Sequence, residues 1–213
     1  SLQSRNLVLG EAASTLTSLI VGNQKNTKAA VEAGGIEAVV GALKQCPNSL
    51  AVQTKATIAL GYLVAGNSEY QTLAADMGGL ELVISALKQH PNNEAVQASA
   101  TEALGFLVAN HCCNQALAKQ AGALEAVVMA LGLYCESEPL QRDASRALGM
   151  LVACSSVNQN LARECGALAA LMKSLRRHNE CEAVQENATD AVGHFAAHNL
   201  VNQRRAREAG VFR

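Results

Sequence analysis

GGIEAVVGALK at residues 34–44 returns as GGLELVISALK at 78–88, GALEAVVMALG at 122–132 and GALAALMKSLR at 166–176. These four stretches, and a fifth glycine at Gly210, are spaced 44 residues apart with no drift. A fixed period of this size is typical of solenoids, in which one helical unit is repeated and stacks on its neighbours. The sequence therefore predicts an all-α solenoid with a 44-residue repeat.

Each repeat reads as three helices, and the unit that begins at Gly78 shows the pattern most clearly. Apolar residues recur at i, i+3, i+4 and i+7 within residues 79–89, which predicts an amphipathic first helix. Its inward positions are Leu80, Val83, Ile84 and Leu87. A turn at residues 90–93 precedes a predicted long helix over residues 94–109. The inward stripe of the long helix comprises Val96, Ala100, Ala103, Leu104 and Leu107.

The third helix of the unit is short and is predicted over residues 115–121, with Leu117 and Ala118 facing inward. Gly122 ends it, because glycine adopts the positive φ of a helix C-terminus without strain. The leucines equivalent to Leu117 are Leu73 and Leu161. Most short helices start near an asparagine, which we expect to cap free backbone N–H groups. These residues are Asn26, Asn114, Asn158 and Asn202, with Tyr70 as the exception.

The period divides the chain into one partial repeat, four full repeats and the start of another. The predicted bounds are 1–33 for the partial repeat, then 34–77, 78–121, 122–165 and 166–209, with 210–213 opening the next unit. Within the partial repeat, the long-helix stripe would hold Val8, Ala12, Leu16 and Leu19. Because the chain starts and stops inside repeats, we expect one solenoid domain cut from a longer array.

Composition narrows the classes of partner and compartment. The chain has 213 residues, a net charge of −1 and 49% hydrophobic residues. Because the charge is balanced, we expect neither nucleic acid nor a membrane surface as a partner, and no apolar run reaches the ~20 residues that span a bilayer. Seven cysteines, an odd number without C-x-x-C spacing, predict free thiols in a reducing compartment. We therefore expect an intracellular location, in the cytoplasm or the nucleus.

The three-helix unit resembles the armadillo repeat. The residues that carry the resemblance are the short-helix ends Glu32-Ala33-Gly34, Gln120-Ala121-Gly122 and Glu208-Ala209-Gly210, followed by a Gly-Ala-Leu-x-Ala-Val helix and a long helix with Val-Gln-x-x-Ala-x-x-Ala-Leu. HEAT repeats, the nearest alternative, have two helices and lack the short helix that ends in glycine. The resemblance covers essentially the whole chain and implies a right-handed superhelical solenoid of three-helix repeats.

The resemblance also implies where a partner would bind. In armadillo proteins the long helices line a concave groove that usually holds an extended peptide, and importin alpha does so with a ladder of Trp and Asn. In this chain the Trp register holds Ser14, Ile58, Glu102, Arg146 and Asp190. The Asn register holds Ser18, Tyr62, Phe106, Met150 and His194. Because neither Trp nor Asn remains, recognition of a nuclear localisation signal by that ladder is not expected.

The same two registers supply the candidate binding residues. Large side chains recur from repeat to repeat in one of them, and such an apolar row is typical of a recognition surface. The predicted partner-binding residues are Ile58, Tyr62, Glu102, Phe106, Arg146, Met150, Asp190 and His194. The alternative is that the large residues fill gaps between neighbouring long helices and that the charges pair with one another.

A column of glycines runs through the middle of the long helices. Glycine in a helix interior costs about 0.5–1 kcal/mol relative to alanine. The column comprises Gly61, Gly105, Gly149 and Gly193, with Thr17 in the partial repeat. We expect it to permit close packing of adjacent long helices, and the alternative is room for a ligand backbone.

Residues for catalysis or metal binding do not assemble in this sequence. Cys46, His90 and His178 share a turn register, but packed helices lie ~10 Å apart and a zinc ligand must lie ~2 Å from its ion. The adjacent residues 111–113, His-Cys-Cys, give poor tetrahedral spacing. No nucleophile–base order and no phosphate-binding glycine loop is recognisable. We expect no catalytic residue, no cofactor and no metal.

Our functional hypothesis is a non-catalytic protein-interaction scaffold. It would bind a peptide or a partner's helix along the groove of the long helices. Two alternatives stay open: a structural spacer or self-assembly array, and an autoregulatory domain of a larger multidomain protein. The sequence fixes neither the partner nor the oligomeric state.

Overall fold

The structure is a computed structural model, and it describes residues 2–210. Helices form almost all of this range and alternate with short turns. In chain order they are α1 (Leu2–Ile20), α2 (Gln24–Glu32), α3 (Gly35–Gln45), α4 (Leu50–Val64), α5 (Ser68–Asp76), α6 (Gly79–Gln89), α7 (Glu94–Val108), α8 (Cys112–Gln120), α9 (Ala123–Leu133), α10 (Glu138–Val152), α11 (Ser156–Glu164), α12 (Ala167–Arg177), α13 (Glu182–Ala196) and α14 (Leu200–Glu208).

Helix lengths repeat with the period of the sequence. From α3 onward, a first helix of 11 residues, a long helix of 15 and a short helix of 9 recur in the same order. The same three lengths continue through α14. The three-helix repeat and the all-α solenoid are therefore confirmed.

The chain forms two compact units, one ending at Leu107 and the other beginning at Val108, so that their boundary falls near the end of α7. The repeat bounds derived from the period stay a prediction. Among the described residues no single helix is long and apolar enough to cross a membrane; by length and composition alone, α8 and α9 would suffice as a pair, which is bent by 74°.

The core is built from the aliphatic stripes that the period predicts. On α6 and α7 every predicted inward residue is buried, from Leu80 to Leu107. On the short helices the prediction was wrong for leucine: Leu73 and Leu117 are 38% and 37% exposed, whereas Ala74 and Ala118 are fully buried. Adjacent helix positions differ by about 100° in direction, so the short helix turns the alanine inward and leaves the neighbouring leucine partly exposed. Arg205, in the same column, therefore lies at a position that faces solvent in other repeats.

The predicted stripe of the partial repeat is largely exposed. Val8 and Leu19 are 66% and 57% exposed, although their equivalents on α4 are fully buried. The long helix α4 packs against both α1 and the first helix α3. Within the described residues, α1 has no first helix before it to cover the same face.

The caps of the short helices lie three residues before the predicted ones. The side chains at Asn23, Asn67, His111, Ser155 and Asn199 accept hydrogen bonds from backbone N–H groups in the first turn. Consequently α8 begins at Cys112 rather than at residue 115. Three of the asparagines predicted as caps, Asn26, Asn158 and Asn202, instead donate to carbonyls near the end of the preceding long helix. Those carbonyls lack partners within their own helix, so the contact joins two helices of one repeat.

A glutamine that is buried in three full repeats and half-buried in the fourth, at Gln185, joins the first helix to the long helix. Its amide nitrogen donates to the carbonyls ten and seven residues upstream, as Gln53 does to Leu43 and Cys46 at 3.0 and 3.1 Å. Gln97, Gln141 and Gln185 repeat both bonds. This glutamine latch closes the turn between the two helices and fixes where the long helix starts.

Candidate functional site

Three of the predicted site residues of the first unit form one contact cluster. The rings of Tyr62 on α4 and Phe106 on α7 lie 5.5 Å apart between centroids and are tilted by 48°. The Tyr62 hydroxyl donates to Glu102 Oε1 at 3.0 Å. All three residues are half-buried, and so is Ile58, one turn earlier on α4. We call Tyr62, Glu102 and Phe106 the Tyr62 cluster.

Close packing of α4 on α7 brings the cluster together. A Cβ atom on Gly61 would lie 2.9 Å from Ala103 Cα and 3.2 Å from Phe106 Cδ2. Real Cβ atoms do not approach a neighbouring backbone that closely, so only glycine fits. The packing role predicted for the glycine column is therefore confirmed at this position.

The other members of the glycine column differ from one another. A Cβ atom on Gly149 would lie 3.2 Å from Ala191 Cα, which is a tight contact between α10 and α13. Around Gly193 the described residues leave open space within 4 Å. The packing explanation therefore holds at Gly149 and does not account for Gly193.

In the second unit the predicted site residues lie on α10 and α13. Met150 and His194 are half-buried and Asp190 is exposed. The guanidinium of Arg146 lies 3.9 Å from Asp143, a buried carboxylate on the same helix. Arg142 also forms two hydrogen bonds of 2.9 Å with that carboxylate. Arg142 and Arg146 therefore both lie beside the Asp143 carboxylate.

Sequence reasoning missed a glutamine that supports the backbone under the site residues. Gln71 Nε2 on α5 donates to the Phe106 carbonyl at 2.6 Å. Gln115 and Gln159 make the same bond to Met150 and His194, each at 2.8 Å. These glutamines are 44 residues apart, so a column-by-column reading of the period could have identified them. Threonine occupies the first position of the column, at Thr27.

A cleft of about 540 Å³ opens beside Thr27, where the other repeats have a glutamine. It lies between the turn that follows α1 and the turn that follows α4, and Tyr62 forms part of its wall. The other side chains that matter for its chemistry are Asn23, Thr27, Lys28, Asn67 and Tyr70. The volume falls within the range of about 300–1,000 Å³ usual for small-ligand pockets.

His111, Cys112 and Cys113 lie together at the start of α8. The ring nitrogen Nδ1 of His111 accepts from the Asn114 backbone N–H at 3.2 Å, so this residue caps α8. Beside it, the hydrogen-bonded neighbour Cys112 raises the pKa of the Cys113 thiol, which favours the protonated form. Within residues 2–210, no group of three His, Cys, Asp or Glu residues is placed to hold a metal ion.

No protein-family model matches the chain, and neither does any curated protein. Solved structures of designed proteins do match it. A designed armadillo repeat protein is 26% identical with a TM-score of 0.80, over 94% of this chain and 81% of the other. The chain has an armadillo-like repeat fold.

Two further designed structures support the armadillo-like fold. Computationally designed armadillo repeat proteins for modular peptide recognition are 26% identical with a TM-score of 0.77, over 95% of this chain and 82% of theirs. A designed armadillo repeat protein in complex with the peptide (KR)4 is 25% identical with a TM-score of 0.76, over 98% of this chain and 81% of the other.

Proposed function

We propose that this armadillo-like chain is a non-catalytic scaffold that binds a peptide or a partner's helix along its long helices. The observation that carries the proposal is the Tyr62 cluster, two half-buried rings in contact on adjacent long helices. Aromatic residues that are fixed by packing and still partly exposed are typical anchors of binding surfaces. A designed protein of the same fold, in complex with a peptide, supports this use of the fold.

Side chains, rather than a regular backbone clamp, would select the partner. Tyr62 and Phe106 would provide apolar contact with Ile58 beside them. Met150 and His194 would continue this role in the second unit, next to the charges of Arg146 and Asp190. The carboxylate of Glu102 already accepts the Tyr62 hydroxyl, which orients the ring before any partner arrives. Such pre-organisation lowers the entropic cost of binding.

We further propose an intracellular location, in the cytoplasm or the nucleus. All seven cysteines are free thiols, and three of them, Cys112, Cys113 and Cys154, are exposed. Exposed thiols persist most readily in a reducing compartment. Localisation of a fluorescent fusion of the full-length protein tests this proposal, and secretion would contradict it.

Selection of random displayed peptides against the whole chain tests the binding function. We expect a shared motif that binds the wild type and is lost in Tyr62→Ala and Phe106→Ala. Leu73→Ala is the matched control, because it also shortens a partly exposed apolar side chain but lies on the short helix α5. Urea denaturation of each variant separates lost binding from lost folding. If no motif is enriched, or if both variants bind normally, Tyr62 and Phe106 serve only to pack the long helices together. The structural-spacer hypothesis then replaces ours.

A further inference from the structure

Corresponding parts of neighbouring repeats meet at seams, and two of these differ in one decisive way. We define the first seam as residues 20–28 against residues 62–70, and the last seam as residues 152–160 against residues 194–202. The two are equivalent because they are three periods apart. The last seam is filled by side-chain hydrogen bonds, whereas the first contains the 540 Å³ cleft.

The side chains of Gln159 and Asn160 fill the last seam, and each supplies an acceptor oxygen. Gln159 Nε2 donates to the carbonyls of His194 and Ala197, at 2.8 and 3.1 Å. Its Oε1 accepts from Asn199 Nδ2 at 3.3 Å. Asn199 Nδ2 also donates to Asn160 Oδ1 at 3.2 Å. The amide of Asn199 is therefore matched by two side-chain oxygens from the preceding repeat.

The first seam replaces both acceptors. Thr27 stands in place of Gln159, and its hydroxyl donates to the carbonyls of Ile20 and Asn23 in its own repeat. Lys28 stands in place of Asn160 and offers a cation where the last seam has an oxygen. Asn67, the equivalent of Asn199, uses its Oδ1 to accept two backbone N–H groups of α5. Its Nδ2 has no acceptor among the described residues.

The side-chain groups that Thr27 and Lys28 leave unmatched in the cleft are donors, and Gln24 and the backbone at Ala65 also line it. Asn23 resembles Asn67, because its Oδ1 accepts from the Asn26 backbone N–H and its amide nitrogen stays available. Among the described residues that line the cleft, Lys28 is the only charged side chain and none carries a carboxylate. Lys28 lies 3.7 Å from Glu32, but both side chains are about two-thirds exposed, so water screens this pair. Acceptor atoms of a ligand would match the donor side chains of Asn67, Asn23 and Lys28.

We infer that this cleft binds the carboxylate of a glutamate or aspartate side chain. The carboxylate would occupy the position of the missing side-chain oxygens, within reach of the Asn67 amide and the Lys28 ammonium. Ile20, Tyr70 and Tyr62 provide an apolar wall for the methylene stem. The inference deepens the proposed function, since it takes the carboxylate from a peptide on the row that includes Tyr62. The cleft itself is testable without that peptide.

The test is an NMR titration of the whole chain with acetyl-Gly-Glu-Gly-amide and with its glutamine counterpart. We expect saturable shifts of the backbone amide signals of Lys28, Asn67 and Tyr70 with the glutamate peptide. The glutamine peptide is expected to bind about tenfold more weakly, because charge-assisted hydrogen bonds are the stronger ones. Equal binding of the two peptides, or no saturable shift at these residues, would overturn the inference.

Matched variants confine the effect to the cleft. Thr27→Gln/Lys28→Asn introduces the residues of the last seam and is expected to abolish the shifts while the chain stays folded. Lys25→Asn, which removes a charge from the same helix outside the cleft, is expected to bind normally. Leu73→Ala is also expected to bind the tripeptide normally, because Leu73 on α5 does not line the cleft. If the tripeptide does not bind, only the proposed carboxylate site in the cleft is wrong. If the peptide selection finds no motif, only the proposed peptide binding by the Tyr62 cluster is wrong.

Discussion

The first and last seams have the same backbone design and differ by a few side chains. At the last seam Gln159 reaches across to the next repeat, and the interior polar groups bond to one another. At the first seam Thr27 bonds within its own repeat, and a cleft remains beside Tyr62. The comparison shows that one shorter side chain at an equivalent position of a repeat can replace a structural contact with an open cleft. Four changes would break or sharpen it.

The largest effect is expected from opening the last seam with Gln159→Thr. The change removes bonds to two carbonyls and to the Asn199 amide. At about 0.5–1.5 kcal/mol for each hydrogen bond, we expect a loss of about 2–4 kcal/mol in the free energy of unfolding. Urea denaturation measures the loss. An unchanged midpoint would mean that this glutamine does not hold the seam.

The next effect concerns the contact that places the Tyr62 cluster. Gly61→Ala puts a methyl group against the Ala103 backbone, and overpacking costs about 1–3 kcal/mol. This exceeds the gain in helix propensity, so we expect a net loss of about 1 kcal/mol in thermal denaturation. Gly193→Ala is the matched control, because open space surrounds that position. It should gain about 0.5–1 kcal/mol, and the same sign for both variants would refute the packing explanation.

Closing the first seam with Thr27→Gln is expected to stabilise the protein. The new amide can reach the Ala65 carbonyl and the Asn67 side chain, as Gln159 reaches their equivalents. We expect a gain of about 0.5–1.5 kcal/mol, the usual net contribution of a hydrogen bond. The increase in melting temperature checks it. Destabilisation would show that the first seam has a different backbone spacing from the last.

The smallest effect is a pH dependence at an exposed ion pair of the second unit. Arg177 donates to Glu136 Oε2 and lowers the pKa of that carboxyl below its ordinary value of about 4.3. A lowered folded-state pKa gives stability that is present above the unfolded value and is lost as the pH falls through the folded value. Arg177→Gln should therefore lower the melting temperature slightly at neutral pH and not at strongly acidic pH. An equal shift at both would contradict this assignment.

The period made the fold predictable because each position of the repeat occurs several times in the chain, so its residue type can be compared between repeats. The buried stripe from Leu80 to Leu107 follows directly from it. The caps were placed wrongly because two columns, at 23 and 26, both carry asparagine, and composition does not show which side chain points back at the helix start. The leucines of the short helices were misplaced because a nine-residue helix offers too few turns to fix its buried face.

The candidate site was only partly predictable. The shared register of Tyr62, Glu102 and Phe106 indicated a common surface, and the structure joins them into one cluster. The cleft could not be derived in that way, because it arises from the replacement of a glutamine whose role becomes visible only through its hydrogen bonds. A residue that departs from its equivalents in the other repeats is informative once the structural role of that position is known.

The glutamine latch has a consequence for how such a chain can change its length. The side-chain amide nitrogens of Gln53 and its three equivalents donate to carbonyls seven and ten residues upstream, inside the same repeat. A gene duplication or deletion of one whole 44-residue period would therefore carry each latch together with both of its partners. None of these four latch amides would lose its partners in such an event, so we expect every surviving repeat to keep its own turn closed when the number of repeats changes.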